Sequence, residues 1–199
     1  MTDLTIYGDT ISGNCLKIKF VCDLLSIPYR WVETSVLEKQ TRTPEFLKLN
    51  PAGQVPVVTW ADGRVLAQSD AIILFLAEGS ALIPADAYQR ALMLQWMFWE
   101  QYSHEPVIAV RRFQKAELKK PEHEIDPTLL PKGERVLTVM NDHLAGRRYF
   151  VNEQLSLADI ALVAYTRWAH EGGFDLSRYP RLREWVIRVE KDLGLEHAA

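Results

Sequence analysis

Pro56, in the segment Asn50-Pro51-Ala52-Gly53-Gln54-Val55-Pro56-Val57-Val58, constrains this chain more than any other residue. Proline has no amide hydrogen, so a strand reading Val55-Pro56-Val57-Val58 must lie at the edge of its sheet or begin at the proline. The segment reads as a cis-proline entry, with the backbone of Val55 turned outward where an extended peptide can pair with it as an added strand. Asp62-Gly63 then supplies a hairpin turn, and residues 64–66 return antiparallel to residues 57–60. Ser69 follows as the expected N-cap of a helix. Its hydroxyl, with the amides of Asp70 and Ala71, makes that helix end an anion site fit for a carboxylate. Taken alone, Ser69 reads only as a cap.

The rest of the chain falls into two patterns. Residues 4–7 form a first strand, and Cys15, Ile18, Cys22 and Leu25 recur at helical spacing after it. Pro28 is expected to stop that helix, residues 29–32 form a second strand, and Pro44 opens a short helix. Residues 1–79 therefore read βαβαββα, and crossover plus hairpin make the four-stranded sheet mixed. Residues 86–199 carry almost no strand signal, so the fold class is α/β plus all-α. Leu92, Trp96, Trp99, Ser103, Pro106 and Val110 mark one helical stripe, with Pro106 bending or breaking the helix. A second helix starts at Thr128 or Pro131 and runs to Leu144. Ser156 and Asp159 form a capping box with Leu155 on Ile160 as its staple, and Pro180 starts a final helix.

Composition excludes several classes. A net charge of -3 over 199 residues argues against nucleic-acid or anionic-membrane partners. The start lacks a signal-peptide pattern, and the longest apolar run, residues 71–77, is too short to span a bilayer, so a cytoplasmic protein is expected. Cys15 and Cys22 lie too far apart along one helix for a disulfide. The five histidines show no metal-ligand spacing, so no metal is expected, and a G-x-S-x-G elbow and a phosphate loop are both missing.

The candidate chemistry sits in the first turn, residues 7–15, where a strand runs into a helix N-terminus that favours negative charge such as a thiolate. The architecture resembles the thioredoxin fold, whose turn holds Cys-x-x-Cys. Here the turn reads Ser12-Gly13-Asn14-Cys15, which excludes an intramolecular dithiol cycle. With Ser12, the segment 50–58, Gln68-Ser69-Asp70-Ala71-Ile72 and Leu155-Ser156-Leu157-Ala158-Asp159-Ile160-Ala161-Leu162 in order, the whole chain resembles the cytosolic glutathione S-transferases. The match is to bacterial, beta- or theta-like members with serine at the thiolate position.

That resemblance implies a homodimer that binds glutathione through residues 1–79 and takes a hydrophobic electrophile in a pocket formed by residues 86–199. It implies that Ser12 donates to the thiolate, Val55 pairs with the cysteinyl backbone, Gln68 and Ser69 hold the γ-glutamyl group, and Gln54 lies near the glycyl end. Lys39, Thr41 and Arg42 all remain open for the glycyl carboxylate. Ile11, Asn14, Cys15, Tyr102, His104 and Arg111 are candidates for the electrophile pocket or for auxiliary roles, His104 matching a histidine near the sulfur in beta-class members. Gln68 replaces the commoner glutamate, and Ser12 replaces the beta-class cysteine. Structural roles compete with these: Ser12 as a helix cap, Cys15 as packing, Arg111 and Arg112 as solvated or ion-paired, and Trp96, Trp99, Tyr102 and Trp168 as core. The implied reaction is conjugation of glutathione to an electrophile. Peroxide reduction, dehalogenation, isomerisation and a non-catalytic interaction module are the alternatives.

Overall fold

The computed structural model describes residues 3–198. It separates into two compact units, with the division between Ser80 and Ala81. The first unit runs β1 (Leu4–Gly8), α1 (Gly13–Leu24), β2 (Tyr29–Glu33), α2 (Pro44–Leu49), β3 (Val57–Thr59), β4 (Val65–Ala67) and α3 (Ser69–Leu76). The sheet order is β2-β1-β3-β4, parallel between β1 and β2 and antiparallel at the other two joints. This is the thioredoxin-like βαβαββα arrangement and mixed sheet that the sequence predicts.

Of the two places open to a proline strand, the chain takes the second. The Val55-Pro56 bond is cis, and β3 begins one residue later, between β1 and β4. The missing amide hydrogen thus falls outside the ladder, and Val57 and Val58 are fully buried in a central strand.

Two local expectations need correction. α1 ends at Leu24, well before Pro28: Ser26 adopts φ 54°, Ser26 N donates to Asp23 O at 3.2 Å and Ile27 N to Cys22 O at 2.8 Å. That left-handed closure satisfies the last carbonyls without a proline. Ser69, expected as an N-cap, is the first residue of α3, because Gln68 takes the cap position at φ 72°, ψ 113°.

The second unit contains α4 (Ala87–Trp99), α5 (Glu105–Arg112), α6 (Leu129–His143), α7 (Leu157–Thr166) and α8 (Pro180–Asp192). Pro106 does not break the first of these. A π-helical turn over Glu100–His104 joins α4 to α5, with Glu105 N bonded to Glu100 O. Proline releases the carbonyl four residues back and crowds it, and a widened turn absorbs both effects. The wide turn also changes the helical phase. Met93, Trp96, Met97, Glu100, His104 and Ile108 are buried, while Pro106 and Val110 of the expected stripe are exposed.

α7 is apolar on nearly every side and buried at every position, so it forms the centre of this unit. Its N-terminus carries the expected capping box. Asp159, fully buried, accepts from Ser156 N at 3.0 Å, Ser156 Oγ at 2.8 Å, Phe150 N at 2.9 Å and Trp185 Nε1 at 2.9 Å. The box is therefore also the tie between α7, α8 and the segment before α7.

Candidate functional site

The turn from β1 into α1 is shaped by two carboxylates. Asp9, buried, accepts from Ile11 N at 3.1 Å and Val36 N at 2.8 Å, and its backbone oxygen accepts from Ser12 N at 3.0 Å. Glu33 accepts from Thr10 N at 2.9 Å and Trp31 Nε1 at 2.7 Å. Against the upward pull of burial, these bonds hold the Glu33 carboxyl below its usual range. Ser12 is thereby placed as the N-cap of α1, its Oγ accepting from Cys15 N at 3.4 Å. Ile11, Ser12 and Asn14 are half-buried at this helix end.

Cys15 and Cys22 are both free and fully buried. Burial pushes the Cys15 thiol up to about 12, although a hydrogen bond from the Ser12 side chain pulls the other way. A thiol in that state is a packing group at neutral pH and not a nucleophile.

The segment before β3 folds around Asn50, whose side-chain amide donates to Gln54 O at 2.8 Å while its Oδ1 accepts from Ala52 N at 3.1 Å. Gly53 is required by its φ of +63°, and a Cβ there would also displace the end of the Arg42 side chain, whose Nη1 would lie 2.4 Å away. Arg42 donates to Ala52 O at 3.3 Å, so its guanidinium lies against this turn. Thr41 is buried and Lys39 exposed. Gln54 is exposed and Val55 half-buried beside them.

α3 begins next to α1. The Ser69 hydroxyl, instead of capping its own helix, donates to Asn14 Oδ1 at 3.3 Å. Alongside that bond, Lys17 of α1, fully buried, pairs with Asp70 of α3 at 3.2 Å. Two helix N-termini, each a centre of partial positive charge, are thus held together, with exposed Gln68 at the mouth of α3. Gln68 is a non-glycine residue at positive φ, an uncommon backbone conformation.

The candidates in the second unit have other settings. Tyr102 is 87% exposed. His104 is fully buried, with Nε2 2.9 Å from Thr166 Oγ1. Because that hydroxyl donates to Leu162 O at 2.7 Å, the histidine nitrogen is the donor. Arg111, only 2% exposed, donates through Nε to Gly172 O at 2.8 Å and pairs with Glu122, while Arg112 pairs with Glu171 at 2.6 Å. Both arginines and His104 are internal ties of the helical unit. Among the described residues, no group of three or more His, Cys, Asp and Glu side chains is placed to hold a metal ion, and no helix is long and apolar enough to cross a membrane.

Sequence reasoning passed over Asp9, Lys17, Glu33 and Asn50. The Gly8-Asp9 and Asn50-Pro51 pairs are turn signals that could have pointed to Asp9 and Asn50. Nothing local marks Lys17, because its partner is 53 residues away.

Comparison with known proteins matches the same regions. Residues 11–78 fit the family model for the glutathione S-transferase N-terminal domain, and residues 109–188 the model for its C-terminal domain. The solved glutathione S-transferase from Pseudomonas fluorescens Pf-5 is 46% identical, with 94% of each chain covered and a TM-score of 0.91. A possible glutathione S-transferase from Rhodopseudomonas palustris is 40% identical, covering 98% of this chain and 97% of that one, with a TM-score of 0.93. The disulfide-bond oxidoreductase YfcG of Escherichia coli K12 is 27% identical over 197 residues, 95% of this chain and 90% of that protein. With both domain models matched and a bacterial structure this similar over nearly its full length, the chain belongs to the glutathione S-transferase family.

Proposed function

We propose that this protein is a glutathione transferase, joining the glutathione thiolate to a hydrophobic electrophile. The observation that carries the reading is the Ser69–Asn14 hydrogen bond, which sets the N-terminus of α3 beside the turn that holds Ser12. In this reading Ser69 and the first amides of α3 take the γ-glutamyl carboxylate, Gln68 accepts from its ammonium group, and the Val55 backbone pairs with the cysteinyl unit. Arg42, lying against the turn before Gln54, takes the glycyl carboxylate.

Ser12 Oγ accepts from Cys15 N, and in this reading its hydroxyl hydrogen turns from the Cys15 thiol to the incoming sulfur. A hydrogen bond to a charged acceptor is worth about 1.5–3 kcal/mol, which lowers a thiol pKa by roughly one to two units. Starting near 8.5, that raises the thiolate share at neutral pH from a few per cent to about half. The remaining task is to hold an electrophile against the sulfur, which needs no metal. Residues 1–79 bind glutathione in this reading, residues 86–199 form the electrophile pocket, and the protein acts as a cytoplasmic homodimer.

Calorimetry with glutathione, followed by a conjugation screen over a panel of electrophiles, tests the proposal. Absence of binding at millimolar glutathione would refute it in favour of a non-catalytic module. The likeness to a disulfide-bond oxidoreductase favours one second reading, a glutathione-dependent redox reaction on the same site. Cys15 is too deeply buried and too weakly acidic to be the redox sulfur, so glutathione would supply the thiols. Disulfide reduction that persists in Cys15→Ala, with no conjugation, would select that reading.

A further inference from the structure

The loop after α6 contains Arg147 and Arg148, and α8 presents Arg181, Glu184 and Arg188 toward it, spaced three and four apart on one helical face. Together they line an open cleft of about 250 Å³. Four positive charges against one negative leave three positive charges there, in a chain whose net charge is -3. Like charges gathered this closely repel one another.

Arg147 Nη1 donates to His143 O at 2.7 Å, and Arg188 Nη1 donates to Arg148 O at 2.8 Å. The Arg148 and Arg188 guanidiniums lie 6.0 and 5.9 Å from the centre of the Tyr149 ring, whose hydroxyl is anchored on Asp192 at 2.7 Å. Arg181 pairs with Asp142 at 3.9 Å. Among the described residues, no carboxylate forms an ion pair with Arg147, Arg148 or Arg188. The cleft therefore gathers four guanidiniums, two of them held on backbone carbonyls, against the carboxylate of Glu184 and the Asp142 partner of Arg181.

We propose that this cleft binds a small, multiply charged oxyanion of the diphosphate class. Guanidinium groups match phosphoryl oxygens in charge and in the geometry of their paired N–H donors, and donors arriving from both walls suit an anion with two charged centres. The site is built wholly from the helical unit and does not depend on the glutathione reading.

Calorimetry of the full chain with inorganic pyrophosphate at low ionic strength is the test, with ADP as a second arm. The structure predicts one site per chain. Arg148→Gln with Arg181→Gln should weaken binding by about tenfold or more, and because both side chains are exposed and neither holds a backbone carbonyl, the melting temperature should change little. Glu184→Gln removes the one negative charge and should tighten binding severalfold, and it carries the test alone if the double variant loses its fold. ADP binding as tight as pyrophosphate or tighter assigns a nucleoside-borne diphosphate, and weaker binding assigns the free anion. The proposal is overturned if neither ligand binds at millimolar concentration, or if binding ignores these substitutions. It is also overturned if duplex DNA binds through these arginines while both small anions fail.

Discussion

Replacing Asp159 with asparagine should make the stability of this protein depend on pH in a way that isolates one buried charge. Asp159 is fully buried, accepts four hydrogen bonds and has no cation among its hydrogen-bonded partners. Burial is the largest influence on its carboxyl, and the four donors offset it only in part, so the pKa rises from 3.8 to about 6. A folded-state pKa above the unfolded value means that ionisation opposes folding. The contribution to stability is complete below about pH 4 and is lost as pH rises through about 6, at a final cost of about 3 kcal/mol. Asparagine keeps an acceptor for Phe150 N and Trp185 Nε1, while its amide nitrogen confronts Ser156 N, orphaning one donor at about 1–3 kcal/mol. It does not titrate. Urea unfolding of both proteins at about pH 4.5 and about pH 7.5 should show the variant gaining about 2 kcal/mol on the wild type between the two conditions. A variant that loses ground as pH rises would refute the assignment of a raised pKa. Asp159→Ala orphans three buried N–H groups and, after relief of the charge, should cost about 3 kcal/mol near neutral pH.

Other consequences are as direct. Ser12→Ala should raise the titration midpoint of bound glutathione by roughly one to two pH units, read from thiolate absorbance, and should lower conjugation at neutral pH, while the lost cap costs about 1 kcal/mol of stability. Cys15, whose thiol burial holds near 12, should resist alkylating reagents in the native protein at neutral pH and react once it is unfolded in urea. Gly133→Ala would place a Cβ 2.3 Å from the Phe174 ring and should lower stability by about 1–3 kcal/mol in thermal unfolding, despite alanine's better helix propensity.

Reading the chain without coordinates succeeds where a rule acts over a few residues. The missing amide of Pro56 dictates where β3 can start, alternation and helical spacing separate the strands of the first unit from its helices, and the Ser156–Asp159 pair announces the start of α7. Pro44 marks the start of α2 in the same way, and the structure adds the Thr43 hydroxyl as its cap, accepting from Phe46 N at 3.3 Å. Local rules also fail locally. Pro28 looks like the stop of α1, although Ser26 closes the helix first, and counting by 3.6 residues from Leu92 loses phase at the π-helical turn over Glu100–His104. A residue-spacing argument has no way to register a turn that departs from the period it assumes.

The sequence by itself determined the order of elements, the mixed sheet and the turn that carries Ser12, and it narrowed the proline strand to two places, because each follows from backbone hydrogen bonding and side-chain periodicity between near neighbours. Only the tertiary structure decided which groups meet. Ser69 bonds to Asn14 across 55 residues, Lys17 to Asp70 across 53, His104 to Thr166 across 62 and Arg111 to Gly172 across 61. The first two of these contacts assemble the candidate site, and the other two remove side chains from it. A polar residue that looks available in a linear chain becomes a ligand-facing group or an internal tie according to where folding buries it, since an enclosed charge or hydrogen-bonding atom must find a partner wherever the chain has brought one.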